Sequence, residues 1–301
     1  MDDELLPATR WRRRWERRDE LLRRIEVAMI CRFGFLRAQS ATGFRRRLAY
    51  VFPERPAYFH ALYAILPQLG YRITTRAPQR ADLFIHFEDV TVRRPGTYPA
   101  CLHGRFVINS ACDDIGKDRV EQVFQEVFGY GLRVDPRSHA GVCVRKSIAN
   151  ARHDGTILRG PTSPEPGYVY QRLVNNVEHG KAHDIRVEVM NGSIPFVVHR
   201  VKSLADRFDR TERSMLGCTE DVFGRAEIDA IKSFACRIGL DYGELDILRD
   251  RDDGRIYIVD ANNTPSGPMP GGDMTRREYR DFSRLLSQAF RDAFIDGQSV
   301  S

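Results

Sequence analysis

Residues 240–263, "LDYGELDILRDRDDGRIYIVDANN", hold two apolar-rich runs joined by a turn of Asp and Gly. How that turn closes decides which surface the two strands present. Side chains on a strand alternate between faces, so Asp260 and Asn262 point one way and Ala261 the other. A two-residue Asp253-Gly254 loop pairs Asp246 with Ala261 and sends its carboxylate away from Asp260. A three-residue loop, Asp252-Asp253-Gly254 with Gly254 left-handed, sets Arg251 opposite Arg255 and Asp246 opposite Asp260, with Asn262 next along the same face. Glycine at the last loop position favours the second closure, with strands over 244–250 and 255–261. Asp246, Asp260 and Asn262 then form one convergent set of hard oxygen donors, the kind that suits magnesium. The competing reading is a strand that ends in an Asn/Pro/Gly turn, "NNTPSGP" (262–268), and nothing more.

Other segments bear on the choice. An acid on one strand with Asp260-Ala261-Asn262 closing the next resembles the magnesium site of the ATP-grasp superfamily, whose members typically read Glu-Val-Asn there. "KAHDIRVEVMNGSIPFVVHR" (181–200) is similar to the Asp-x-Arg strand, Gly turn and Arg-ending strand of the ribosomal-protein glutamate ligase and glutathione synthetase branch. "GYVYQRLV" (167–174) resembles the hinge strand whose backbone reads adenine, and "VRKS" (144–147) the strand that brings a lysine to the phosphates. The segments fall in the family's order over residues 109–270.

The resemblance implies an α+β, ATP-grasp-like fold. A basic helical extension (1–48) would precede a small N-terminal α/β subdomain (49–108), a connecting helix and linker (109–140), a lid (141–172) and a C-terminal antiparallel-sheet catalytic subdomain (173–298). It implies ATP and Mg2+ as cofactors, with Asp246, Asp260 and Asn262 as metal ligands. Lys117, Lys146, Gln171, Arg172, Leu173 and Asp184 would contact the nucleotide, and Arg186 and Arg200 would stabilise the transferring phosphoryl group. The implied activity is a carboxylate–amine (or thiol) ligase acting through an acyl phosphate on small-molecule or peptide substrates. No side chain need be a nucleophile, which fits the lack of a Ser/His/Asp or Cys/His signature. Two other readings stand beside it: a kinase of the same superfamily, and a nucleotide-binding scaffold whose basic N-terminus is the working part. For Lys117 the alternative is a solvated helix-start lysine, and for Arg186 and Arg200 it is exposed strand charge. In the lid, "IANARHDGTILRGPTSPEP" departs from the family's Gly-rich phosphate loop and offers only Asn150, His153, Asp154 and Gly155.

At 301 residues and 42% hydrophobic content the chain can bury a core in two or three subdomains. No run has the apolar length of a membrane-spanning helix, and "MDDELLPATRW" has no apolar signal core. Six cysteines without metal-ligand spacing read as reduced, mostly buried thiols of a cytoplasmic protein. The formal charge of +6 is uneven. Residues 10–47 hold thirteen arginines against four acids, a net +9, and the remainder carries −3. Trp11, Trp15, Leu22, Ile25 and Met29 recur at helical spacing. That helix would pack its apolar stripe on its own domain or on a second copy in a homodimer, leaving weak, non-specific polyanion contact to its arginines. Anionic lipid or nucleic acid is the alternative partner.

Downstream, a helix near 59–66 and strands at 71–74 and "ADLFIHF" (81–87) suit the small α/β subdomain. A helix with Val120, Val123, Phe124, Val127 and Phe128 inward ends at Gly129 and Gly131. A C-terminal amphipathic helix turns Tyr279, Phe282, Leu285, Leu286, Ala289 and Phe290 inward.

Overall fold

The computed structural model of the chain describes residues 6–41, 47–94, 98–148, 154–267, 270 and 272–297, with the side chains of 6–19 and 41 outside the description. Helix α1 (Leu6–Ala41) leads into a parallel sheet of β1 (Arg47–Pro53), β2 (Tyr71–Thr74) and β3 (Leu83–Phe87), in the order β2-β1-β3, with α2 (Ala61–Gln68) between the first two strands. Helix α3 (Lys117–Phe128) follows. Next comes an antiparallel sheet of β4 (Val142–Ser147), β5 (Thr156–Arg159) and β6 (Tyr168–Arg172), with β4 in the middle.

The largest sheet comprises β7 (Val177–Glu178), β8 (Lys181–Met190), β9 (Val197–Ser203), β10 (Arg213–Gly217), β11 (Tyr242–Arg249) and β12 (Ile256–Asn262). Its main path runs β10-β9-β8-β11-β12, antiparallel throughout. Helices α4 (Thr219–Val222) and α5 (Arg225–Arg237) connect β10 to β11, and α6 (Arg276–Arg291) closes the fold.

The strand sequence explains the layering. In "KAHDIRVEVM" Ile185, Val187 and Val189 fall on one face and Asp184, Arg186 and Glu188 on the other. The apolar face meets Val120, Val123 and Phe124 of α3 and Ile228, Ile231 and Phe234 of α5 in one core, joined by Leu245, Ile247 and Ile258. A fully buried side chain such as Phe234 contributes ~1.5–3 kcal/mol there. The charged face is left for the cleft. Asn109, wholly buried, fixes the linker to β11: its Oδ1 accepts from Asp241 N (2.9 Å) and Tyr242 N (2.8 Å), and its Nδ2 donates to Tyr242 O (2.6 Å).

The β11–β12 turn departs from expectation. Asp250 N donates to Arg255 O and Gly254 N to Asp250 O, so four residues, 251–254, form the loop, with Gly254 left-handed at φ +73°. A regular ladder from that turn would set Val259 opposite Asp246. Instead the register shifts between Asp246 and Ile247, and Val259 is the extra residue of a bulge. Asp246 pairs with Asp260 and Glu244 with Asn262. The expected partnership is present, reached by a longer loop and a compensating bulge.

Other expectations need amendment. β1 forms where the sequence carries no strand signal of its own, because "RRRLAYVF" opens with the charge of the basic segment. The lid has a third strand, β5, short and largely exposed. Three of the six free cysteines, Cys101, Cys218 and Cys236, are exposed rather than buried. Leu285 of α6 is 41% exposed while Tyr279, Phe282, Leu286 and Phe290 are buried.

α1 packs on its own domain through a different face from the one expected. Leu22, Ile25 and Met29 are exposed, and Val27 and Cys31 are buried against Ala64 of α2 and Tyr279 of α6. Small residues win the contact because backbones can approach there. A Cβ on Gly34 would stand 2.6 Å from Gln68 Cγ. Trp11 and Trp15 of the predicted stripe, and Asn150 and His153 of the lid loop, lie outside the described side chains and residues respectively.

Candidate active site

The charged face of the large sheet floors a cleft of about 960 Å³, within the size range of small-molecule and cofactor sites. Its cross-strand rows carry the predicted residues. Arg186 pairs with Asp246 and Asp246 with Asp260, so the three stand in one row. Asp184 pairs with Arg200 in the row on one side, and Glu188–Glu244–Asn262 forms the row on the other. Lys117, the first residue of α3, and Lys146, near the end of β4, reach the cleft from outside this sheet.

Arg186 grips Asp246 in two hydrogen bonds, Nε to Oδ1 at 2.9 Å and Nη2 to Oδ2 at 3.2 Å, a bidentate pairing. Arg200 Nη1 approaches the same carboxylate at 3.4 Å and its Nε donates to Thr211 Oγ1 at 2.9 Å. Burial alone would raise the Asp246 carboxyl, but Arg186 and Arg200 outweigh it and hold it well below the usual carboxylate range. Asp260 is shifted the opposite way. Burial pushes it up and the Asp246 charge adds to this, while Lys117, 3.6 Å away, opposes. Its Oδ1 has no hydrogen-bond donor. Burial and the neighbouring Lys117 and Lys202 lower Lys146 to about 8, against the pull of Asp260 and Asp184.

Two carboxylates and a carboxamide are hard donors, and the orphaned Asp260 Oδ1 is an acceptor that a divalent cation would satisfy. Among the described residues no group of three or more His, Cys, Asp or Glu forms an all-protein metal cage. Magnesium does not need one, since it typically takes one or two carboxylates and fills its octahedron with waters and phosphate oxygens. Asn262 Oδ1 accepts from Thr264 N at 3.0 Å, which fixes the carboxamide beside Asp260. The residues present fit that ion.

Of the expected nucleotide residues, Lys117, Lys146 and Asp184 line the cleft. Asp184 is paired with Lys202 at 2.6 Å and accepts from Asn176 Nδ2 at 2.9 Å. Gln171, Arg172 and Leu173 do not line it. The Gln171 carboxamide donates to Glu121 at 2.9 Å, Arg172 reaches Asp250 at 2.7 Å and lies over the Tyr257 ring, and Leu173 is half-buried. Asp154 lines the cleft but also accepts from Ser147 N at 3.1 Å.

Several residues went unread in the sequence: Glu188, Lys202, Glu244 and, from other elements, Arg23, His60 and Asp89. The period of two would have found the first three, each lying two positions from a residue already singled out. The others come from distant segments that no local spacing connects.

No protein-family model and no curated protein matches the sequence. Solved structures do. VanG D-Ala:D-Ser ligase from Enterococcus faecalis superposes with a TM-score of 0.51 at 10% identity, covering 81% of this chain and 98% of that one. A RiPP-associated ATP-grasp ligase from Chryseobacterium gregarium, in complex with ADP and a leader and core peptide, gives 0.48 at 9% identity, covering 84% and 97%. The ATP-grasp ligase PsnB, complexed with a minimal precursor, gives 0.40 at 21% identity, covering 63% of this chain, which spans 65% of the length of PsnB. The chain has the ATP-grasp fold. Among the described residues no helix is long and apolar enough to cross a membrane.

Proposed function

We propose that this chain is an ATP- and magnesium-dependent carboxylate–amine (or thiol) ligase acting through an acyl phosphate. The observation that carries the reading is the Arg186–Asp246–Asp260 row, with an unanswered oxygen on Asp260, facing Lys117 and Lys146 across one cleft. Bound ATP would supply the phosphoryl group that activates the carboxylate, and magnesium held by Asp246, Asp260 and Asn262 would neutralise the charge that develops on it.

The protein's own part is positioning and charge stabilisation, which dominate phosphoryl transfer. Lys146 and Lys117 bring two ammonium groups to the phosphate side of the cleft. Arg186 is held by Asp246 and Glu244 and Arg200 by Asp246 and Thr211, so both guanidinium charges are fixed toward the γ-phosphoryl oxygens and the substrate carboxylate, with little left to reorganise. Asp184, pinned by Lys202 and Asn176, completes the nucleotide wall. The substrates are small molecules or peptides, and the protein works where ATP is plentiful and thiols stay reduced, the cytoplasm.

The test is ADP release against paired carboxylate and amine libraries in magnesium. ADP release that requires both partners and yields an amide establishes the ligase. A stable phosphorylated product from a hydroxyl compound would instead make it a kinase, and nucleotide binding without turnover would make it a scaffold.

A further inference from the structure

We propose that the cleft floor beyond the Asp246–Asp260 row is a subsite for a positively charged group of the substrate, an ammonium or guanidinium, held by Glu244 with Glu188 behind it. The inference rests on the ligase reading and narrows it. The substrate partner would be a cationic amine, not a thiol or an anionic amino acid.

The two glutamates face each other directly across β8 and β11, and each is 2% exposed. Glu188 Oε1 and both carboxylate oxygens of Glu244 are buried without a hydrogen-bond partner, as is the Tyr242 hydroxyl two positions before Glu244. Buried carboxylates without donors are costly, and sheet positions of this kind ordinarily hold apolar side chains. The cations already on the floor answer them only in part. Arg186 gives two hydrogen bonds to Asp246 and ion-pairs Glu244 Oε2 at 2.8 Å, which leaves Glu244 Oε1, Glu188 Oε1 and the Tyr242 hydroxyl as the acceptors still without a partner. Lys202 is paired with Asp184 at 2.6 Å, and Lys117 stands nearest Asp260, at 3.6 Å.

Glu244 lines the cleft and Glu188 does not. The pair is therefore reached from the cleft through Glu244. An ammonium offers three donors and a guanidinium five, enough to meet several of these acceptors at once. An alcohol or thiol offers one, and a carboxylate none. The floor so discriminates by charge, beside the arginines that would hold the activated carboxylate.

The subsite is tested by calorimetry on the full chain without nucleotide, which keeps the outcome independent of ATP. The probes are putrescine, a short diammonium, and agmatine, which adds a guanidinium, against the neutral butanediol and the anionic succinate. At least one cationic probe should bind about tenfold or more tightly than butanediol, and succinate should not compete. Glu244→Gln and Glu188→Gln should each weaken that binding by about tenfold. Equal binding of cationic and neutral probes by the wild-type chain, or undiminished cation binding by folded variants, would overturn the subsite. A glutamate pair that merely shares a proton gives that first result. Should a variant not fold, the wild-type comparison decides alone. Failure of Mg-ATP to bind in the same preparation would strike at the ligase reading and not at the subsite.

Discussion

Asp246 and Asp260 stand opposite each other on adjacent antiparallel strands, yet their environments shift them in opposite directions. Asp246 is enclosed by Arg186 and Arg200, while Asp260 has Lys117 as its ion-pair partner, at 3.6 Å, and keeps an oxygen without a donor. The same Asp→Asn change should therefore have opposite consequences at the two positions.

Asp246→Asn removes the partner of two largely buried guanidinium groups and should destabilise the protein by about 3–5 kcal/mol, read by urea denaturation. The pH dependence has a definite sign. Because the folded carboxyl lies below its unfolded value, its contribution is present above the unfolded pKa of 3.8 and is lost as pH falls below it. The wild-type chain should lose stability on acidification, and Asp246→Asn should lose less.

Asp260→Asn relieves a carboxylate that burial disfavours, so the thermal midpoint of the ligand-free protein should stay level or rise at neutral pH. Nucleotide should show the cost. Mg-ATP at about 100 times its dissociation constant should stabilise the wild type by roughly 2.7 kcal/mol, and Asp260→Asn should lose most of the magnesium-dependent share. A wild-type chain indifferent to millimolar Mg-ATP would contradict the proposed nucleotide site.

Lys146 titrates near 8, below its ordinary value of 10.5. ATP affinity should decline as pH rises through 8, by up to tenfold per unit while Lys146 loses its charge, and Lys146→Gln should flatten that profile. Stability should move the other way. Between 8 and 10.5 the unfolded chain binds the extra proton, so this group favours folding increasingly as pH rises.

Gly34→Leu drives a side chain into Gln68 at the α1–α2 contact and should cost about 1–3 kcal/mol. A change that left the thermal midpoint untouched would mean that α1 does not rest on the domain as described. Polyanion binding by the wild type should be weak and steeply salt-dependent.

Much of this site was legible because strand alternation is a two-residue rule. Once Asp260 and Asn262 share a face, the acid on the neighbouring strand follows from register, and Asp184 and Arg186 follow by the same count. The turn was harder. Nothing local announces that Val259 bulges, since the bulge answers a loop one residue longer than "DDG" suggests. The N-terminal helix misled for another reason. Its larger apolar residues form the more obvious stripe, but Val27, Cys31 and Gly34 fit against α2 and α6 at shorter range, so shape outweighs hydrophobicity. In the expected hinge, the side chains of Gln171 and Arg172 are spent on Glu121 and Asp250.

The double hold of Arg186 and Arg200 on Asp246 also bears on how the cleft behaves between occupants. A floor of unopposed like charges would have to swell, or draw in counterions, whenever its contents departed. Here that carboxylate is held by two guanidinium groups of the sheet itself, like an arch standing without its centring. The place of that carboxylate is therefore set by its own sheet and not by whatever occupies the cleft.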